Sequence, residues 1–276
     1  MRQVKAAIDE WFELSKRVFR QKGQVMLKSH IAKITQPDNR GTTKRERAFL
    51  LMDKACVRSV LWVSAPAGAG KTTLVSSYLE SRNVSCLWYQ MDKGDQDIAT
   101  FFYYIKFAAQ KLVDPAEASF HLPVLTPEYA HGLKMFARRY FESLFALLID
   151  PEEQECAITP PHYHSHTFAR QVSISTDPAG IHQESEPERL TGPPCLVLDN
   201  YQEIPENCEV HTILADALDV VPNGVNVIIL SRHQPPSQYA RLRANKKPAL
   251  LGWDDIRFSF EESRDLISGK HSGGSP

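Results

Sequence analysis

The chain has 276 residues, with 32 Lys+Arg against 33 Asp+Glu, a formal net charge of -1 and 42% hydrophobic residues. Near-neutral charge removes the global argument for nucleic-acid binding, leaving only a local basic patch to consider. No apolar run approaches the roughly 18–20 residues of a membrane span, and five cysteines without a C-x-x-C pair argue against a disulfide framework or a cysteine-rich zinc site.

In chain order, residues 1–27 form an amphipathic helical extension. Val4, Ile8, Trp11, Phe12, Val18 and Phe19 lie near helical spacing, and Asp9, Glu10 and Glu13 dilute the basic residues among them. It reads as a surface helix or a poorly packed extension, with membrane-surface or nucleic-acid binding the weaker alternative. It lacks the uninterrupted apolar stretch of a secretory signal, so a cytoplasmic location is the default. Residues 28–47 are a polar lead-in, and 45–56 a short helix.

From Val60 the pattern alternates between strand and helix. Strands are expected at Val60–Ser64, 85–91, 196–198, 225–230 and 249–253. Helices are expected at Lys71–Ser81, 98–112, 132–149, 209–221 and Phe260–Ile267. Apolar strands separated by helices call for a mainly parallel sheet covered on both faces, an α/β fold. Residues 151–194 break the rhythm with Pro, Ser, Glu and Thr and read as a mobile insertion. His162, His164 and His166 alternate within it. Without a rigid scaffold they read as a solvated loop, with zinc or nickel binding the weaker alternative. Residues 268–276 are a flexible tail.

The most specific pattern is LWVSAPAGAGKTTLV, with Ala65-x-x-x-x-Gly70-Lys71-Thr72 in place of the usual glycine-first phosphate loop. Small residues at Ala65, Ala67, Gly68, Ala69 and Gly70 let the backbone curl so that successive N–H groups face phosphate oxygens. The following helix adds its positive end. Lys71 supplies an ammonium for the β- and γ-phosphates, and the Thr72 hydroxyl a ligand for Mg²⁺. A second acid at a strand end completes such a site, and Asp199, closing CLVLD, is the candidate. Asn200 follows where many ATPases carry a water-polarising acid; an amide cannot take a proton, which weakens the case for fast hydrolysis. Glu203 is either a substitute base or a solvated turn residue. Arg232, just past the strand NVIIL, is placed to sense a γ-phosphate, with a plain exposed arginine as the alternative. His233 has no nucleophile elbow beside it and reads as loop.

These pieces together resemble the signal-transduction ATPases with numerous domains, in the branch of large ATP-dependent LuxR-type regulators typified by the maltose-regulon activator. The resemblance rests on APAGAGKTTLVSSYL, CLWYQMDKGDQDIATFFYYIKFAAQKL, CLVLDNYQEI and NVIILSRHQPPSQYARLRAN, and covers 28–267 apart from the insertion. It implies a P-loop NTPase with strand order 5-1-4-3-2 and an ATP/ADP switch that is Mg²⁺-dependent, slow or silent in hydrolysis, and active through self-association or a separate output protein. It assigns Gly68, Gly70, Lys71, Thr72 and Thr73 to phosphate and Mg²⁺, Asp199 to the metal and Arg232 to the γ-phosphate. Asp92 and Asp95 would lie near the nucleotide crevice, with no role assigned. The family's repeat and DNA-binding regions have no counterpart in these residues, so neither direct DNA binding nor membrane association is expected.

Overall fold

In a computed structural model of the protein, the structure describes residues 32–40, 42–112, 122–126, 128–129, 132–149, 192–245 and 247–267. The extension at 1–27, nearly all of the 151–194 insertion with its three alternating histidines, and the 268–276 tail lie outside the described residues.

Strands β1 (Val60–Ser64), β2 (Cys86–Gln90), β3 (Cys195–Asp199), β4 (Asn226–Ser231) and β5 (Pro248–Leu251) form one sheet in the order β2-β3-β4-β1-β5. All pairings are parallel, and this is the order expected from the resemblance, read from the other edge. Every residue of β1, β3 and β4 is buried. Strands covered on both faces have no solvent side to mark with polar residues, which is why they read as continuous apolar runs.

Alternate side chains divide the core in two. Val60 and Trp62 of β1 enter one layer with Leu87, Leu196 and Ile229; Leu61 and Val63 enter the other with Trp88, Val197 and Ile228. The first layer is closed by α3 (Ile98–Gln110), α4 (Leu133–Leu148) and α5 (Glu209–Asp219). The second is closed by α1 (Glu46–Cys56) and α2 (Lys71–Ser81). Aromatic rings dominate the first layer: Phe102 meets Tyr140 at 4.7 Å and Phe136 at 5.0 Å between centroids.

After α6 (Ala240–Ala244) and β5 come two short helices, α7 (Trp253–Ile256) and α8 (Phe260–Ile267). The strand expected over 249–253 therefore stops early, and Trp253 opens a helix. The reason is local: the Gly252 N–H goes to Asp255 Oδ2 at 2.8 Å, a side-chain acceptor that turns the chain away from the sheet. A long-range tie secures this end. Arg45, only 6% exposed, donates to the Ile256 carbonyl at 2.6 Å, pairs with Glu262 at 3.4 Å and stacks on Phe258.

Candidate functional site

Parallel register aligns the ends of β1 and β4, Ser64 beside Ser231, and the Ala65 N–H still reaches the Ser231 carbonyl at 3.2 Å. The chain then leaves the sheet as a tight loop. Gly68 and Gly70 hold φ of 75° and 74°, a left-handed backbone that any side chain would strain. Gly70 is the N-cap of α2 and no side chain caps the helix, so its first N–H groups are left for an external acceptor.

Lys71 folds back over this loop, its ammonium donating to the carbonyls of Ala65 at 2.7 Å and Pro66 at 3.0 Å. Partial burial lowers its proton affinity, the positive charge of Arg232 lowers it further, and Asp199 opposes both. Thr72 Oγ1 lies 3.2 and 3.0 Å from the two oxygens of Asp199. Asp199, 3% exposed at the last position of β3, also accepts the Asn200 N–H at 2.8 Å. Burial raises its pKa above the usual carboxylate value, against the pull of Thr72, the Asn200 amide and Lys71. One hydroxyl and one carboxylate, with ligand and water oxygens for the rest, is the sparse protein donor set that Mg²⁺ accepts. Among the described residues no group of three or more His, Cys, Asp and Glu forms a metal cage.

Asn200 sits in the left-handed region at φ 57° and starts the 3₁₀ turn Tyr201–Glu203. Glu203 faces Arg232, Oε1 to Nη2 3.8 Å, with the Gln202 amide at 3.4 Å. Gln202 Oε1 accepts the Arg232 backbone N–H at 3.1 Å. Thr73 and Ala67 are exposed, Ala69 is half-buried and Ala65 is buried. Among the described residues His233 bonds through its backbone: its carbonyl accepts from Trp62 Nε1 at 2.9 Å and its N–H bonds Ser231 Oγ.

Beneath the turn runs a buried chain of polar groups that periodicity does not reveal. The Pro205 carbonyl can only accept, so His211 Nε2 carries the proton that reaches it at 2.9 Å, leaving Nδ1 to accept. The Tyr201 hydroxyl donates to that Nδ1 at 2.6 Å and accepts from Tyr239 at 2.6 Å. Burial lowers the His211 pKa, consistent with a neutral ring. Both tyrosines also pack edge-on against Trp62, at 5.0 and 5.4 Å. Tyr201 and Tyr239 belong to the matched stretches CLVLDNYQEI and NVIILSRHQPPSQYARLRAN, but nothing in the spacing pairs them.

Asp92 and Asp95 belong to a different cluster, at the end of β2. Lys33 Nζ lies 2.7 Å from Asp92 Oδ2 and 2.8 Å from Asp95 Oδ1. The Tyr89 hydroxyl and the Asp92 N–H also bond Asp95, which is fully buried. Gln36 and Pro37, a few residues on, bond Ser76 of α2. The acids thus anchor the lead-in segment to the sheet.

A parallel sheet of this order, with a glycine-bearing loop entering a helix after β1 and an acid ending β3, defines a P-loop NTPase-like α/β fold. No family model matches the chain. It is distantly related over most of its length to MalT-type HTH transcriptional regulators. Identity with the HTH-type transcriptional regulator MalT of Vibrio parahaemolyticus is 25% over 245 residues, covering 88% of this chain and 22% of the relative. With MalT of Klebsiella pneumoniae it is 24% over 226 residues, 82% and 20% of the two chains. With MalT of Vibrio campbellii it is 24% over 246 residues, 88% and 22%. The chain therefore spans about a fifth of the length of these relatives. Among the described residues no helix is long and apolar enough to cross a membrane.

Proposed function

We propose that the chain is the ATP/ADP-binding switch module of a signal-transduction ATPase related to transcription regulators, Mg²⁺-dependent and slow or silent in hydrolysis on its own. The observation that carries this reading is the approach of Thr72 to both oxygens of Asp199, beside an uncapped helix start and a lysine bonded to loop carbonyls. On this reading Ala65–Thr73 wrap the phosphates, Lys71 leaves its carbonyls for the β- and γ-oxygens, and Thr72 with Asp199 supports the metal. Arg232 meets the terminal phosphate. Bound Mg²⁺ neutralises phosphate charge; the protein's part is to orient the oxygens and supply fixed donors.

Slow turnover follows from the residues beside Asp199. Asn200 cannot accept a proton, and the Glu203 carboxylate is engaged by Arg232 and Gln202. The distant kinship with MalT-type regulators supports an output in transcription, delivered through self-association or a separate partner. The test is binding of a fluorescent ATP analogue to wild type and Lys71→Ala. Loss of at least about 100-fold in affinity is expected, as removal of a charged partner of phosphate costs several kcal/mol; unchanged affinity refutes the reading. Phosphate release by wild type and Asn200→Asp then measures how far the amide holds hydrolysis back, and rapid release by wild type refutes slow turnover.

A further inference from the structure

The turn after β3 and the loop after β4 hold Arg232 at two points. Gln202 takes its backbone N–H and Glu203 stands against its guanidinium. The side chains are 49% and 31% exposed, so the guanidinium is free to swing without disturbing the core. The loops that carry them are not. Tyr201 bonds Tyr239 beneath the pair, and Gln238 Nε2 donates to the Glu206 carbonyl at 3.1 Å. The spacing between Glu203 and the base of Arg232 is therefore fixed by buried and backbone contacts, while the ion pair itself stays open to exchange.

Resting on the nucleotide-switch reading above, we propose that Glu203 is a specificity-determining residue: the resting counter-ion of Arg232, displaced by a ligand with a terminal phosphate and left in place by one without it. Exchanging a carboxylate for a phosphate at the guanidinium makes and breaks no covalent bond. Its penalty falls on the triphosphate alone, because the diphosphate does not recruit Arg232. Glu203 therefore biases the site toward ADP and sets how much ATP is needed to turn the module on. This role replaces that of a water-activating base: the carboxylate faces Arg232 and the Gln202 amide.

The experiment measures Mg-ATP and Mg-ADP affinities of the full chain by displacement of a fluorescent nucleotide, for wild type, Glu203→Gln, Arg232→Gln and the double variant. Partly exposed ion pairs are weak, so Glu203→Gln should raise the ATP-over-ADP preference by about two- to fivefold. That gain should vanish in the Arg232→Gln background, where no guanidinium is left to release. An unchanged preference, or the same gain without Arg232, overturns the proposal. Lys71→Ala separates the two layers. Unchanged binding of both nucleotides there defeats the nucleotide reading and this proposal with it. Loss of both, with a flat Glu203→Gln ratio, defeats the counter-ion role alone.

Discussion

At the end of β2, Lys33, Asp92, Asp95 and Tyr89 close on one another; at the ends of β1, β3 and β4, Lys71 is bonded to backbone carbonyls and Arg232 leans on a half-exposed Glu203. Both groups stand at the carboxyl ends of strands in one sheet, where α/β proteins bind ligands. In the first, every oxygen of the fully buried Asp95 has a partner within 2.9 Å. In the second, among the described residues, a buried carboxylate is held only by a threonine hydroxyl and a backbone amide. Position at a strand end is thus a poor guide to function by itself. The useful distinction is whether the charges have already satisfied each other.

That contrast is sharpest in Asp95→Ala. Removing this carboxylate leaves Lys33, 8% exposed, with one pairing to an exposed acid and the Tyr89 hydroxyl without its acceptor. A loss of about 3 kcal/mol of stability is expected, measured by urea denaturation. Lys71→Ala should behave oppositely, abolishing nucleotide binding while moving the urea midpoint by the equivalent of less than about 0.5 kcal/mol. If Asp95→Ala is as mild as Lys71→Ala, the distinction between the two clusters fails.

Tyr201→Phe keeps the ring against Trp62 but strands the Tyr239 hydroxyl and His211 Nδ1. About 2 kcal/mol of destabilisation is expected, with a weaker response to ATP than to ADP if the loop spacing guides Arg232.

Asp199→Asn should move stability less than Tyr201→Phe does, and with the opposite sign. Because the folded-state pKa of Asp199 is raised by burial, the folded state binds more protons than the unfolded state between the two pKa values. Stability therefore falls as pH rises through that window, and the ionised carboxylate is a burden at neutral pH. The amide variant should be more stable by about 1 kcal/mol at pH 7, with the advantage vanishing on acidification below the ordinary aspartate pKa. Mg²⁺-dependent nucleotide binding should drop in the same variant. A pH-independent difference, or none, would show that the buried charge is already compensated.

Much of this was legible in the sequence because it depends on short-range pattern. Val60–Ser64 and Lys71–Ser81 have the bounds that apolar runs and small-residue punctuation imply, and Thr72 and Asp199 come together as motif logic requires. What stayed hidden depends on meetings between distant residues. Lys33 sits in a stretch that reads as polar loop, and its partners lie 59 and 62 residues later. Tyr201 and Tyr239 look like ordinary core aromatics until their hydroxyls meet. The strand read over 249–253 is present but ends at Leu251, because one side-chain acceptor, Asp255, turns the chain before the apolar run is finished.

Arg45 carries a consequence for where this domain can be cut. The sheet is complete at Leu251, so a shortened chain ending there would keep every strand. It would also strip Arg45 of the Ile256 carbonyl, Glu262 and the Phe258 ring together. A guanidinium 6% exposed would then open to water, and α1, still seated on β1 by Phe49 and Met52, would lose the tie at its first turn. A shortened domain is therefore expected to need the chain through Glu262, a limit set by a residue that precedes the glycine loop after β1.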